Sequence, residues 1–354
     1  MELNNRIKGF TLLGEFLSQF TQKEIIKKDN IPFNDLFFDA LSMQIKRSKE
    51  FNAWFTDDNV LFAIESWAKL LTTANLTNWT SNYTIDVKNP KTIAVIMAGN
   101  IPLVGFHDFL TVLISGHHLL AKQSSNDKHL LPLLAKYLEH VEPHFKGKII
   151  FTNKELSKFD AVIATGSNNT ARYFEYYFGK HPNIIRQNRN AVAVITGQES
   201  KEDLEKLGDD IFRYFGLGCR NVSKIFIPKE YKFEPFFGAM FKFRDIIDYQ
   251  KYENNYTYNK TVYLMSLFKL QENGFLMLKE DQSYTSPIAS LFYEYYEDLE
   301  QLKTKLTADK ESIQVIVSDL ELDNSVKFGD SQKPALEDYA DGVDTLEFLL
   351  SLNA

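Results

Sequence analysis

The sequence predicts an α/β protein built on parallel sheet with helices on both faces. Three observations carry this expectation. Short runs rich in Val and Ile alternate with segments of helical periodicity from residue 91 onward. The runs are continuously apolar, as strands buried on both faces are. The chain has 354 residues, which is long for one core and suits two domains or one large α/β unit.

Residues 1 to about 85 read as helical. Phe10, Leu13, Phe16, Leu17 and Phe20 recur at helix spacing, and so do Leu36, Leu41 and Ile45. Asp58 is the expected cap of a helix carrying Phe62, Ile64, Trp67 and Leu70. The pattern changes at Asn89–Pro90, and Lys91 to Ala98 reads as a buried strand stopped by Gly99. The spacing then predicts a helix over Phe106–Ile114, a strand over His118–Ala121 and a helix over Asp127–His140. Strands follow at Lys148–Phe151 and Asp160–Ala164, a helix from about Asn168 to Phe178, and a strand near Ala191–Ile195. Helical spacing returns over Lys201–Tyr214 and is broken by Gly216-Leu217-Gly218-Cys219. Val222–Ile227 is a strand stopped by Pro228. Beyond it, to about residue 325, helices and strands mix in less clear order. The tail 328–354 opens with Phe328-Gly329-Asp330 and ends in an apolar run, Leu346–Leu352.

The formal charge is −7, the pI is about 5.6 and no Lys/Arg block stands out, so nucleic acid is not an expected partner. The first residues have an interrupted apolar pattern and no small-residue cleavage site, unlike a signal peptide. No stretch approaches the roughly 18 apolar residues of a membrane span. Cys219 is the single cysteine, so an internal disulfide and a thiolate metal cluster are excluded and a cytoplasmic location is expected. No His-Glu-x-x-His, P-loop or Gly-x-Gly-x-x-Gly occurs, and no metal site is expected. Aromatic residues reach 14%, which reads either as a compositional bias or as the lining of a channel for a fatty chain.

Four short motifs can carry chemistry. Cys219 lies in a Gly-rich turn between a helix and a strand, with Arg220 and Lys224 near it in sequence. Nearby cations favour the nucleophilic thiolate. The plainer reading is a small buried hydrophobe. Gly99-Asn100-Ile101-Pro102-Leu103 follows a parallel strand, where α/β sheets place ligands. Asn100 can donate to an oxyanion, or the segment is an ordinary turn. Lys122, in Ala121-Lys122-Gln123-Ser124, ends the next strand and can reach a ribose or phosphate, or stands solvated. Thr165-Gly166-Ser167-Asn168 ends a further strand and opens a helix, which suits a pyrophosphate or a plain N-cap.

The order of these motifs resembles the aldehyde dehydrogenase superfamily. Gly99-Asn100-Ile101-Pro102-Leu103 looks like its Trp-Asn-Phe-Pro-Leu element, and Lys122-Gln123-Ser124 like its Lys-Pro-Ser element. Thr165-Gly166-Ser167 looks like its Thr-Gly-Ser element, with Ala171 in place of the last glycine. Gly218-Cys219 falls where that superfamily keeps Gly-Gln-x-Cys. The likeness is closer to the LuxC-type fatty acyl-CoA reductases of bacterial luminescence. It is carried by Asn100 to Gly105, by Gly218-Cys219-Arg220-Asn221-Val222-Ser223 and by Asp338-Tyr339-Ala340-Asp341-Gly342-Val343-Asp344. It covers roughly residues 90–354.

The resemblance implies an aldehyde-dehydrogenase-like fold, with a Rossmann-type parallel sheet domain and a second α/β catalytic domain. The expected limits are a helical region over 1–85, a nicotinamide-binding domain over 86–190, a cysteine domain over 191–327 and a tail over 328–354 that packs back on the core. It implies Cys219 as nucleophile and Asn100 as oxyanion donor. Lys122, Ser124, Gly166 and Ser167 are implied to bind the cofactor, NADPH with NADH possible. The implied activity is reduction of a fatty acyl thioester, acyl-CoA or acyl-protein, to an aldehyde through a cysteine acyl-enzyme. The other reading is a non-redox acyl-transfer or acyl-binding subunit using the same cysteine. A homo-oligomer, with acyl-transferase or synthetase subunits as further partners, is expected. One departure bears on chemistry. Between Tyr176 and Gln198, where hydrolytic dehydrogenases carry their Glu-Leu-Gly-Gly element, there is no Asp or Glu. Hydrolysis of an acyl-enzyme needs a base to activate water.

Overall fold

A computed structural model describes residues 1–352, apart from the side chain of Asn168. The last two residues of the expected tail lie outside the described residues. The chain divides into two compact units, one of residues 1–187 and 335–354, the other of residues 188–334.

The first unit opens with four helices, α1 (Leu3–Leu17), α2 (Asn34–Phe51), α3 (Asp57–Leu70) and α4 (Thr73–Ser81). Phe10, Leu13, Phe16 and Leu17 form the buried stripe of α1, as their spacing predicts. The cap of α3 is Thr56, whose hydroxyl accepts the Asn59 N–H. Asp58 was the expected cap and instead sits in the first turn, where a carboxylate still favours the helix dipole.

Five parallel strands follow, β1 (Thr92–Ile96), β2 (His118–Lys122), β3 (Ile149–Thr152), β4 (Ala161–Thr165) and β5 (Asn183–Arg186). Helices α5 (Phe106–Ser115), α6 (Leu130–Val141) and α7 (Asn168–Phe178) connect them. The helix expected from Asp127 begins at Leu130, because the Asp127 carboxylate is used in a loop contact described below. The sheet order is β3-β2-β1-β4-β5. The chain runs outward from β1 to β3 and then returns to place β4 on the other side of β1. Alternate residues face different layers. Ile93, Val95, Ala161 and Ile163 join the large core with the N-terminal helices, while Ala94, Val162 and Ala164 face Phe174 and Phe178 of α7.

The second unit holds β6 (Asn190–Val194), α8 (Lys201–Phe212), β7 (Val222–Pro228), α9 (Glu234–Met240), α10 (Gln250–Met265), β8 (Leu270–Glu272), β9 (Met277–Glu280), β10 (Ser290–Tyr296), α11 (Leu299–Ala308), β11 (Ile313–Val317) and β12 (Ser325–Val326). Its sheet has the order β12-β11-β6-β7-β10-β9-β8, parallel except where β8 meets β9. Ala191, Ala193 and Ile195 face one core layer, and Val192 and Val194 the other. These are the continuously apolar strands of a doubly covered sheet.

The chain then re-enters the first unit and ends in α12 (Thr345–Ser351). Tyr339 accepts from Trp79 Nε1 at 2.8 Å and meets the Tyr83 hydroxyl, which donates to Asp344. His117 Nδ1 accepts the Lys91 N–H, so Nε2 carries the proton toward the Leu349 carbonyl. Burial lowers the His117 pKa and keeps the ring neutral.

Candidate functional site

In the first unit, the motifs emerge at the carboxyl ends of adjacent strands. Ile96 pairs with Lys122 on one side and with Ala164 on the other. The crevice between β1 and β4 is the topological switch point of the sheet, where open α/β sheets bind ligands. Asn100 stands exposed in the turn after β1, and Lys122 is half-buried as the last residue of β2. Gly166 and the exposed Ser167 follow β4.

The turns after β1 and β2 are tied together. The Met97 N–H donates to the Lys122 carbonyl at 3.0 Å, and the Leu103 N–H donates to Asp127 Oδ2 at 2.9 Å. Leu103 has φ 56°, a region that a side chain rarely occupies. The Asp127 carboxylate holds it there. Burial pushes the Asp127 pKa up to about 6, with the Leu103 N–H acting the other way. Gly99 packs so closely on the second turn that a Cβ would lie 2.6 Å from both Cβ and Oγ of Ser124. Ser124 Oγ itself accepts the Asn126 N–H.

Ser167 is the N-cap of α7. Its hydroxyl accepts the Thr170 N–H and contacts the Thr170 hydroxyl at 2.9 Å. The remaining N–H groups of the first turn and the dipole of this 11-residue helix face the same edge of the sheet as Lys122. A lysine and a helix N-terminus at a switch point are the donor set that suits the phosphates and ribose of a dinucleotide.

Cys219 belongs to the second unit, apart from the other candidates. It is exposed, which sets aside the reading as a buried hydrophobe. Helix α8 ends at Phe212, two residues short of the expected Tyr214, because Tyr214 and Phe215 take φ of 54° and 58° and Gly216 of 77°. The chain then forms the turn Gly218–Asn221, closed by the Asn221 N–H donating to the Gly218 carbonyl at 3.0 Å. Arg220 Nε donates to the Ser331 carbonyl. A cleft behind the turn is lined by Ile211, Phe215, Val222, Tyr252, Leu276 and Ile288.

Three supporting residues were not singled out for a role from the sequence. Asp127 looked like a helix start. Asn221 entered only as a member of the Gly218–Ser223 likeness, and Asp210 only within a run of helical spacing. Each is recognisable only once the backbone groups that it bonds are brought to it.

The fold matches that of solved aldehyde dehydrogenases. Aldehyde dehydrogenase 21 from Physcomitrella patens, solved with the reaction product succinate, superimposes with a TM-score of 0.66 over 100% of this chain and 85% of its own, at 10% identity. Lactaldehyde dehydrogenase from Escherichia coli matches with a TM-score of 0.61 over 92% of this chain and 75% of its own, at 11% identity. A mutant of aldehyde dehydrogenase C from Pseudomonas syringae, solved with NAD+ and octanal, matches with a TM-score of 0.61 over 90% and 72%, at 11% identity. No protein-family model and no curated protein matches the sequence.

Proposed function

We propose that this chain is an NADPH-dependent reductase of fatty acyl thioesters that works through an acyl-enzyme on Cys219. The observation that carries the reading is an exposed thiol, the only one in the chain, held in a turn just before a central parallel strand of an aldehyde-dehydrogenase fold. The solved relative with NAD+ and octanal supports a nicotinamide and an apolar aldehyde as the classes of ligand.

In this reading the Cys219 thiolate attacks the acyl carbonyl. A bond forms from Sγ to the acyl carbon, the carbon–sulfur bond to the leaving thiol breaks, and the thiolate released takes a proton. Asn100 and the Cys219 N–H donate to the oxyanion. Lys122, Ser124 and the Gly166–Ser167 turn would hold the nicotinamide cofactor, which when bound would supply the hydride that the acyl carbon needs. The carbon–Sγ bond then breaks, releasing aldehyde and restoring the thiolate. The absence of Asp and Glu from Tyr176 to Gln198 supports reduction over hydrolysis.

The test is intact mass spectrometry. Incubation with octanoyl- or hexadecanoyl-CoA, without NADPH, is expected to add one acyl mass that Cys219→Ala abolishes. Adding NADPH is expected to discharge the adduct as aldehyde. Acylation that survives in Cys219→Ala overturns the assignment. An adduct stable to NADPH, in a chain whose melting point does not respond to NADPH, points to the non-redox acyl carrier.

A further inference from the structure

We infer that Asn221 is a positioning residue that fixes the Cys219 thiol for attack, a role that rests on Cys219 being the nucleophile. The second unit presents a problem in backbone chemistry at this point. Two successive non-glycine residues, Tyr214 and Phe215, sit in the left-handed region, followed by Gly216 in the same region. For the two non-glycine residues such conformations are costly and persist only where the surroundings over-determine them. They also leave the carbonyls at the end of α8 without the next turn of helix to bond.

One side chain answers both needs. Asn221 is 1% exposed. Its Nδ2 donates to the carbonyls of Asp210 at 3.0 Å and Arg213 at 2.7 Å, with Ile211 further off at 3.4 Å. Its Oδ1 accepts the Gly218 N–H at 2.7 Å, while its backbone N–H closes the turn onto the Gly218 carbonyl. Both polar groups of Gly218 therefore end on Asn221, and Cys219 occupies the second position of that turn. The amide welds the turn to the carbonyls at the end of α8.

The far side of the turn is held independently. The Asp210 carboxylate is fully buried and accepts the Gly329 N–H at 2.6 Å and the Ser331 N–H at 3.0 Å. Ser331 in turn accepts Arg220 Nε through its carbonyl. Cys219 is thus the exposed member of a segment whose next two residues are both anchored. Acyl transfer depends on placement of sulfur within about an ångström, and misplacement of that size can cost about 10²-fold in rate. Alkylation by a small reagent has no such demand.

The experiment compares two reactions of the same thiol on the full chain. Asn221→Ala and the milder Asn221→Ser are treated with iodoacetamide over a range of pH, and separately with octanoyl-CoA. The expected result is an alkylation rate and apparent thiol pKa close to wild type, with acylation slowed at least tenfold. An unchanged ratio of the two rates in a folded variant overturns the positioning role while leaving the nucleophile intact. A wild-type protein that alkylates at Cys219 but takes no acyl group from octanoyl- or hexadecanoyl-CoA overturns both. Hydrogen exchange needs no variant: the Gly218 amide of the wild type is expected to be strongly protected, and exchange at the rate of an open loop overturns the clamp.

Discussion

Asp108 and Arg186 meet through two parallel hydrogen bonds of 2.7 and 2.8 Å, with side chains only 6% and 7% exposed. Asp108 lies in the first turn of α5 after the Asn100 turn, and Arg186 ends β5. The same guanidinium donates to the Thr345 hydroxyl at the start of α12. Removing one charge strands the other in a dry site, which typically costs about 3–5 kcal/mol. Asp108→Leu and Arg186→Met are each expected to lose stability of that order in urea unfolding, and the double variant markedly less than their sum. Additive losses would show that the two charges act separately.

Asp127 is expected to make stability depend on pH. Its folded pKa of about 6 lies above the ordinary aspartate value, so the folded state keeps its proton where the unfolded state has lost it. Stability contributed by this group is therefore full below about pH 4 and falls as pH rises toward 6. Asp127→Asn keeps an acceptor for the Leu103 N–H and removes the titration. The variant is expected to gain on wild type by of order 2 kcal/mol between pH 4 and 7, read from urea midpoints. A difference that is constant with pH counts against a raised pKa.

Gly99 is expected to tolerate no side chain while Ser124 is present. Overpacking of this kind costs about 1–3 kcal/mol. Gly99→Ala should lower the melting temperature, and Gly99→Ala with Ser124→Gly should recover part of it. Recovery is the informative outcome, since it ties the loss to the 2.6 Å approach and to nothing else in the turn.

Lys122 and Asn100 are expected to separate the two half-reactions. Loss of a charge-assisted bond costs about 1.5–3 kcal/mol, so Lys122→Ala should weaken NADPH binding roughly ten- to a hundredfold and leave acylation of Cys219 largely intact. Asn100→Ala should leave NADPH affinity unchanged and slow acylation by about 10²–10³-fold. Isothermal titration and stopped acylation with mass detection read the two effects. Equal loss in both assays from either variant counts against its assigned role.

Aldehyde oxidation to free acid is expected to be slow. Positioned general bases contribute about 10²–10⁴ in rate, and no carboxylate stands between Tyr176 and Gln198 to serve as one. NADP+ reduction with octanal, without any thiol acceptor, should run far below NADPH oxidation with octanoyl-CoA. Comparable rates would mean that a carboxylate elsewhere, such as Glu280, Glu337 or Asp341, serves as the base.

The strands that pass through the middle of each sheet were readable from the chain because burial on both faces favours an apolar run. β1, β4 and β6 are of this kind, while β7 carries Ser223 and Lys224 ahead of its apolar residues, the lysine being buried with its amine donating to Glu294. β5 was missed: Asn183-Ile184-Ile185-Arg186 has two apolar residues between polar ends, and its arginine is buried only because Asp108 lies against it. The end of α8 was misjudged by two residues because Tyr214 continues the apolar spacing while its backbone has left the helix. Cys219 drew attention as the lone thiol. Asn221, two residues on, belongs to the same likeness, but its role carries no local signal, since its partners at Asp210 and Arg213 sit a full loop away.

The first unit is split in sequence, with residues 188–334 lying between its two parts. A ribosome delivers the chain in order, so the second unit is complete while the first still lacks α12 and the residues around Tyr339. Domains tend to fold as soon as their segments are available. Until synthesis reaches Thr345 and Leu349, Arg186 and His117 have no partner from the last helix. The nascent first unit thus waits while residues 188–334 are made, with part of its core surface open, and it closes only after the second unit has been delivered whole.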